Sequence, residues 1–428
     1  MQAPHPTAPA NPKSRVLFAS LIGTTIEFFD FYIYATAAVL VFPTLFFPAD
    51  DPAAATLQSL ATFAIAFFAR PLGSAVFGHF GDKLGRKATL VAALLTMGLS
   101  TVAIGLLPGY AQIGVWAPLL LALCRFGQGL GLGGEWGGAV LLATENAPPG
   151  KRAWYGMFPQ LGAPIGFILS TSLFLLLTSQ LSNADFIDWG WRIPFLASSL
   201  LVGVGLYVRL RITETPAFLA AQARHEAVAV PIVTVFREHG SAMVAGTLIA
   251  ISAFVIFYLM TVFTLSWGTT HLGYEREAFL RLQLIGVIFF GLAIPCSAYC
   301  ADRFGWPRTM RWVAGSIVLF GAVFASLFGS GHEIGVIATL ALGFTCMGLT
   351  YGPLGTLLSD LFPTTVRYTG ASLAFNLAGI LGASLAPFAA TWLATHIGLH
   401  AVGGYLALAG ALGWLGLNSR VVRYARGD

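Results

Sequence analysis

The sequence has 428 residues, of which 57% are hydrophobic and 10% are charged, with a formal net charge of +5. A soluble domain carries about 25% charged residues, so this composition excludes a soluble enzyme and indicates a polytopic α-helical membrane protein. Long unbroken apolar runs exclude a β-barrel, whose strands alternate polar and apolar residues. The basic residues lie at the ends of those runs, which argues against nucleic-acid binding.

The chain begins with a Pro/Ala-rich tail, residues 1–14, which we expect to be disordered. An apolar run over about 16–47 follows and is long enough to cross a bilayer as a helix. It carries Glu27 and Asp30, three residues apart on one helical face. Because an ionised carboxylate at mid-membrane costs roughly 2.5–3.5 kcal/mol, this face should point at protein or water. It is either an internal salt bridge or a proton and substrate site.

The apolar runs predict twelve spans, and the longest polar connection divides them into two groups of six. Lys and Arg cluster in one set of loops, which predicts by the positive-inside rule that both termini are cytoplasmic. We predict an N-terminal six-helix bundle (15–210), a cytoplasmic linker (211–240) and a C-terminal six-helix bundle (241–424). The spans cover approximately 16–47, 55–79, 88–107, 115–144, 153–178, 191–210, 242–268, 279–300, 309–329, 334–360, 368–395 and 399–419.

Two loop motifs recur at equivalent places in the two halves. Asp82–Gly85, after the second span, recurs as Asp302–Gly305 after the eighth. Glu145–Arg152, after the fourth span, recurs as Asp360–Arg367 after the tenth, with an acid, a proline and an arginine at matching positions. Such repeats predict two parallel, pseudo-symmetric halves related by an axis along the membrane normal.

We interpret these loops as gates that stabilise one closed face, although a simple topogenic basic loop would also explain the lysines and arginines after the second span. Glycine permits tight turns there, and Asp82 can either cap a neighbouring helix or pair with Arg86. The predicted gating residues are Gly78, Asp82, Gly85, Arg86, Lys87, Glu145, Arg152, Asp302, Asp360 and Arg367.

The fourth span carries Arg125 about ten residues from its outer end, deep enough to require a partner, and Glu27 or Asp30 is the natural one. Protonating that acid would release Arg125, since a cation lowers a carboxylate's proton affinity while desolvation raises it. Glu135, ten residues further along, is either a proton relay or the structural partner of Arg70. The predicted proton-coupling residues are Asp30, Glu27, Arg125 and Glu135.

Polar and aromatic side chains within the spans are candidate substrate contacts, although each could instead make a helix–helix hydrogen bond or pack in the core. The scarcity of charges in the C-terminal spans suggests that proton coupling belongs to the first half and that the second half contributes shape. The predicted substrate-binding residues are Arg125, Tyr34, Gln128, Trp136, Gln160, Tyr258, Tyr351 and Asn376. No catalytic residue, metal site or cofactor is predicted.

Four stretches carry a family resemblance: Gly78-His-Phe-Gly-Asp-Lys-Leu-Gly-Arg-Lys87, Glu27-Phe-Phe-Asp-Phe-Tyr32, Arg125-Phe-Gly-Gln-Gly-Leu-Gly-Leu-Gly-Gly-Glu-Trp-Gly-Gly138 and Trp189-Gly-Trp-Arg-Ile-Pro-Phe195. The first looks like the signature loop of the major facilitator superfamily. Together, over nearly all of residues 16–425, they resemble the metabolite:proton symporter family, whose members include carriers of α-ketoglutarate, citrate, shikimate and proline/betaine.

The resemblance implies the major facilitator fold, proton symport and a pair between Asp30 and Arg125. The chain departs from the family pattern at Trp306 and Pro307, which stand where a second basic pair is usual and imply a weaker gate contact near Asp302.

We therefore expect an all-α carrier, not an enzyme, that takes a small organic acid (a mono- or dicarboxylate) with protons across a bacterial inner membrane by alternating access. Arg125, with Arg70, would offer the anion a cationic partner.

The alternative is a zwitterionic osmolyte such as proline or betaine. Osmosensing members tend to carry a long charged C-terminal helix, and the sequence stops soon after the last span. A membrane-embedded enzyme or a channel is least expected. The partners would be substrate, protons and lipid, not nucleic acid, and the protein is expected to be a monomer.

Overall fold

Twelve long helices follow one another in the residues that the computed structural model describes, which are 12–47, 52–211, 213–223, 231–384 and 386–424. The predicted tail falls largely outside these residues, and the first helix begins at Lys13. The helices are α1 (Lys13–Leu40), α2 (Pro52–Lys83), α3 (Arg86–Leu106), α4 (Trp116–Glu145), α5 (Arg152–Gln180), α6 (Arg192–Leu210), α7 (Gly240–Thr270), α8 (Arg276–Phe304), α9 (Trp306–Phe328), α10 (Glu333–Asp360), α11 (Arg367–His396) and α12 (Leu399–Leu417).

Each predicted span coincides with one of these helices, so the prediction of an all-α fold with twelve long helices is confirmed. Ten of them are long and apolar enough to cross a membrane, by length and composition. The other two, α2 and α4, have 32 and 30 residues and pack in the same assembly. A π-helical turn interrupts α7 at Leu259–Phe263 and another interrupts α11 at Ile380–Ser384.

The helix contacts repeat between the two halves. The pairs α1 with α5, α2 with α4, and α3 with α6 in the first half correspond to α7 with α11, α8 with α10, and α9 with α12 in the second. The contacts between the halves are also reciprocal, because α2 packs on α11 and α5 packs on α8. The interface is therefore built from equivalent helices of the two repeats.

The close crossing of α2 and α4 depends on two glycines. A Cβ at Gly73 would overlap the backbone carbonyl of Leu130, and a Cβ at Gly133 would overlap the carbonyl of Arg70. Without side chains at these points the two backbones meet, as small residues allow in membrane helices. This contact sets the position of Arg70 relative to α4.

The connection between the halves contains two short helices, Pro216–Ala223 and Pro231–Glu238. The second packs against α2 of the first half and against α7 and α11 of the second, with Pro231 and Val235 buried. The Pro231–Glu238 part of the predicted linker is therefore folded onto both halves.

Candidate substrate and proton site

A small cavity lies between the two halves, with about 30 Å³ of free space, enough for one or two water molecules. Two charged side chains line it, Glu27 of α1 and Arg70 of α2, which are 4% and 7% exposed. The rest of the wall is mainly aromatic and comes from both halves. The remaining lining residues are Phe28, Phe31, Tyr32, Ala163, Ala253, Phe254, Phe257, Tyr258, Met347, Tyr351 and Phe375.

Glu27 and Arg70 carry opposite charges but do not bind each other directly. The Arg70 guanidinium lies over the rings of Phe31 and Phe67, at 4.9 and 4.7 Å from their centroids. Within the described residues neither charged group makes an ion pair or a side-chain hydrogen bond, and Arg70 Nε and Glu27 Oε2 are buried without a partner. Because buried charges normally require a partner, this pair is suited to receive a proton and a charged ligand.

Asp30 lies one turn beyond Glu27 and belongs to a different set of contacts. Its Oδ2 accepts a hydrogen bond from Thr101 Oγ1 at 2.8 Å, and Gln128 Nε2 donates to the same hydroxyl at 2.8 Å. Gln128 Oε1 in turn accepts from Arg125 Nη1 at 2.9 Å. All four side chains are buried, and hydrogen bonds in such a chain polarise one another.

The expected direct pair of Arg125 with Glu27 or Asp30 is therefore wrong for this conformation. In the described part of the chain no ion pair joins them, and two polar side chains separate Arg125 from Asp30. The Arg125 guanidinium also lies 3.9 Å from the centroid of the Tyr34 ring, whose hydroxyl contacts Thr62 Oγ1 at 2.5 Å. The predicted pair does not form because α3 places Thr101 between α1 and α4, and the sequence does not show how α3 packs there.

The expected alternative partner for Glu135 is also wrong, since Glu135 pairs with Arg209 of α6 and not with Arg70. Arg209 Nη1 donates to Glu135 Oε2 at 3.0 Å and to the backbone carbonyl of Leu90 at 2.7 Å, and Arg209 Nη2 contacts Glu135 Oε1. Gly23, one turn before Glu27, leaves the space that this pair fills, because a Cβ there would overlap Arg209 Nη2. The predicted acidic face of α1 is thus partly occupied by an internal salt bridge.

The predicted substrate contacts fall into three groups. Tyr258 and Tyr351 line the cavity. Trp136 and Gln160 lie behind the wall, where Trp136 Nε1 donates to Gln160 Oε1 at 2.9 Å and the Trp136 ring stacks on Phe375 at 3.7 Å. The remaining four, Arg125, Tyr34, Gln128 and Asn376, are buried outside the lining and hydrogen-bond to protein groups.

Asn376 makes hydrogen bonds between the halves, which is the alternative to substrate contact that the sequence left open. Its Nδ2 donates to Ser74 Oγ of α2 at 2.7 Å and to the carbonyl of Gly133 of α4 at 3.3 Å. Gln160 Nε2 likewise donates across the interface, to the carbonyl of Tyr351 at 2.9 Å. These bonds hold α11 and α10 against the first half around the cavity.

The predicted gate aspartates cap helices of the opposite half. Asp82 accepts hydrogen bonds from the backbone N–H groups of Tyr368 and Thr369, at 3.4 and 3.1 Å, in the first turn of α11. Asp302 accepts from the N–H groups of Ala153 and Trp154, at 2.8 and 2.9 Å, in the first turn of α5. A carboxylate at a helix N-terminus satisfies free N–H groups and complements the helix dipole, so this end of the molecule is closed twice by the same device.

Trp306 and Pro307 imply a weaker contact near Asp302, but the cap does not show it. The hydrogen bonds that Asp302 accepts, at 2.8 and 2.9 Å, are shorter than those that Asp82 accepts, at 3.4 and 3.1 Å. The two gates differ in another way. Asp82 also pairs with Arg86, at 3.1 Å, whereas Asp302 forms no ion pair with any described residue. Both loops turn at a glycine in the left-handed region, Gly85 with φ 113° and Gly305 with φ 82°, a backbone conformation that favours glycine.

The second pair of motifs exchanges charges across the interface. Arg152 of the first half pairs with Asp360 of the second at 2.9 Å. Arg367 of the second half lies 3.6 Å from Glu145 of the first, which is also 3.7 Å from Arg86. We call the end of the molecule that carries these caps and pairs the basic face.

The other two predicted gating residues lie at the same face. Gly78 lies against α11, since a Cβ there would be 2.9 Å from Thr369 Cα. Lys87 Nζ donates to the carbonyl of Leu210 at 2.8 Å, which holds α3 to α6 inside the first half.

Four functional candidates were missed or underweighted in the sequence. Arg70 had a signal, an arginine inside an apolar run. Arg209 lies at the end of the sixth predicted span, where an arginine is expected to mark the membrane boundary. Thr101 and Phe31 carry no signal that separates them from neighbouring threonines and phenylalanines.

The fold, the buried charges and the cavity between pseudo-symmetric halves define a multi-pass membrane transporter, and comparison with known proteins agrees. The family model described as "Sugar (and other) transporter" matches residues 16–233. The chain therefore belongs to this transporter family of the major facilitator superfamily, and it is not an enzyme.

Its relatives are metabolite carriers. An inner membrane metabolite transport protein of Escherichia coli K12 is 59% identical, over 93% of this chain and 92% of that protein. The shikimate transporter of Escherichia coli K12 is 36% identical, over 93% and 92%. A proline/betaine transporter of Salmonella typhimurium LT2 is 33% identical, over 89% of this chain and 77% of that protein. Among solved structures, the proton:xylose symporter XylE bound to 6-bromo-6-deoxy-D-glucose has a TM-score of 0.77 at 16% identity, covering 95% of this chain and 94% of that chain.

Proposed function

We propose that this protein is a proton-coupled symporter of a small organic acid in a bacterial inner membrane, with both termini in the cytoplasm. The observation that carries the proposal is that Glu27 and Arg70 line a cavity between the halves, where both are buried and neither makes an ion pair with a described residue. One relative is a shikimate transporter, and because shikimate is a carboxylic acid this similarity supports the same substrate class.

Charge balance links the proton to the anion. With Glu27 ionised, the cavity contains one negative and one positive group, and an entering carboxylate adds an uncompensated negative charge. Protonation of Glu27 leaves Arg70 as the cation, and the anion then restores neutrality. An unpaired charge in a membrane interior costs several kcal/mol, so proton and anion are expected to enter and leave together.

Asp30 supplies the second titratable position. Thr101 donates to its carboxylate, and the chain through Gln128 directs the positive charge of Arg125 towards it. Protonating Asp30 removes the negative charge that strengthens the bond from Thr101 and turns one carboxylate oxygen into a donor. We therefore expect the contacts among α1, α3 and α4 to change. We propose that this change couples proton binding to helix movement.

Alternating access requires each end of the cavity to open in turn. The basic face is closed by the two aspartate caps and the exchanged ion pairs. Towards the opposite end, the Tyr32 ring meets Phe257 and the Phe67 ring meets Tyr258, each at 5.9 Å between centroids. The free space suits water but not a metabolite, which supports an occluded state that must open at one end to load.

Uptake into proteoliposomes with an imposed pH gradient tests the proposal, run over a panel of carboxylates and betaines. We expect Asp30→Asn to abolish gradient-driven accumulation while counter-exchange of the same substrate persists. Arg125→Ala should be more damaging, because it removes the donor to Gln128 and breaks the buried chain that ends at Asp30. Full accumulation by Asp30→Asn, or wild-type uptake by Arg125→Ala, would remove that residue from the mechanism.

A zwitterionic osmolyte is the second candidate, because Glu27 lies in an aromatic cavity. Aromatic faces and a carboxylate together bind quaternary ammonium groups, and Arg70 could hold the carboxylate of the same molecule. The two candidates separate in Glu27→Gln. That variant should retain affinity for an organic anion but lose affinity for glycine betaine, whose cation would have lost its counter-charge.

A further inference from the structure

The two buried arginines of the first half have different surroundings. Arg125 is 0% exposed, donates to Gln128, packs on the Tyr34 ring and does not line the cavity. Arg70 does line it, and its guanidinium lies over the rings of Phe31 and Phe67. A guanidinium that contacts rings and no carboxylate keeps N–H donors available for a planar, two-pronged acceptor.

The rest of the cavity offers few polar groups. Eight aromatic side chains form most of its wall, and the buried Tyr32 hydroxyl has no partner among the described residues. A sugar, with a hydroxyl on nearly every carbon, would leave several of them without hydrogen bonds, each at a cost. A second carboxylate would face Glu27 or an aromatic wall, because Arg70 is the one cation that lines the described cavity.

We propose that Arg70, not Arg125, receives the substrate carboxylate, and that the substrate is a monocarboxylate with a compact ring or apolar body. This inference rests on the proposed function and narrows it. The aromatic wall packs the body of the substrate, Tyr32 can accept or donate one hydrogen bond, and Glu27 carries the co-transported proton. Dicarboxylates and sugars are excluded by the same wall.

Binding to the detergent-solubilised full-length protein tests this without relying on proton coupling. Tryptophan fluorescence is a suitable signal, since Trp136 stacks on Phe375 of the cavity wall. The probes are benzoate, benzamide, acetate, succinate, glycine betaine and xylose. Benzoate should bind at least about tenfold more tightly than each of the others, the factor expected from one charge-assisted hydrogen bond or one buried ring.

Variants locate the contact. Arg70→Gln should weaken benzoate binding at least about tenfold and Arg70→Lys should restore part of it, while the control Arg281→Gln, which removes an exposed arginine, leaves affinity unchanged. Phe257→Leu should weaken benzoate but not acetate. Size-exclusion chromatography identifies any variant that fails to fold. If Arg70→Gln fails to fold, the ligand series on the wild-type protein still tests the inference.

Equal binding of benzamide, tighter binding of succinate, xylose or glycine betaine, or full affinity in folded Arg70→Gln would overturn the inference. None of these results depends on a pH gradient. Failure of the proposed function would give a different result. Benzoate would then bind through Arg70 but would not accumulate in proteoliposomes under a proton gradient.

Discussion

Gly23→Ala tests whether the first helix is shaped around the buried pair of Glu135 and Arg209. The added methyl would overlap Arg209 Nη2 and lie 3.0 Å from Glu135 Oε1 and 3.1 Å from Arg209 Cζ, all inside ordinary contact distance. Arg209 cannot retreat freely, because its other nitrogen donates to Leu90 and Glu135. Overpacking a buried site costs about 1–3 kcal/mol.

The same change also brings a gain, because alanine is a better helix former than glycine by up to about 1 kcal/mol. We therefore expect a net destabilisation of about 1–2 kcal/mol. Gly203→Ala on α6 is the matched control, since a Cβ there meets nothing within 4 Å, and it should be neutral or slightly stabilising. Both are measured by unfolding in mixed micelles of dodecyl maltoside and SDS. Equal stability of the two variants would refute the reasoning.

Three further changes address the ion pair, the hydrogen-bonded chain and the gate. Arg209→Leu leaves Glu135 buried and unpaired and should lower the free energy of unfolding by about 3–5 kcal/mol. The double variant Arg209→Leu/Glu135→Leu should recover most of that loss in the same unfolding assay. A double variant as unstable as the single variant would contradict this. Thr101→Val should lower gradient-driven accumulation at least about tenfold while Thr101→Ser retains it, and equal uptake by the two would separate the hydroxyl from coupling. Asp302→Asn removes the charge that caps α5 and should shift spin-label distances across the basic face towards an open state, whereas unchanged distances would show that the cap does not hold the face closed.

The sequence predicted the location of the buried charges but not their partners. Glu27, Asp30, Arg125 and Glu135 stood out because charges are rare in apolar runs, and all four are buried. Their pairing depends on the rotation and crossing of helices, which Gly73 and Gly133 set through backbone contacts that no residue pattern encodes. The expected partners were consequently wrong for Arg125 and for Glu135.

The gate was more predictable, because a repeat contains information about symmetry. Two acids and two arginines at equivalent places in equivalent halves can exchange partners across a two-fold axis, and Arg152 with Asp360 and Arg367 with Glu145 do so. What the repeat could not indicate is which helix Asp302 caps, since its partners are backbone N–H groups of α5. Any residues at those positions of the helix would provide them.

The division of labour between the halves limits how a proton can move the protein. The chain from Asp30 to Arg125 lies in α1, α3 and α4, all within the first half, and contains no group of the second. The second half meets this region through rings, such as Phe28 against Tyr351 at 6.4 Å and Tyr32 against Phe257 at 5.9 Å. Protonation in the first half must therefore be transmitted as a change in the shape of α1 against the aromatic wall. The same rings are the ones that a substrate body would contact, so proton and substrate act on one surface.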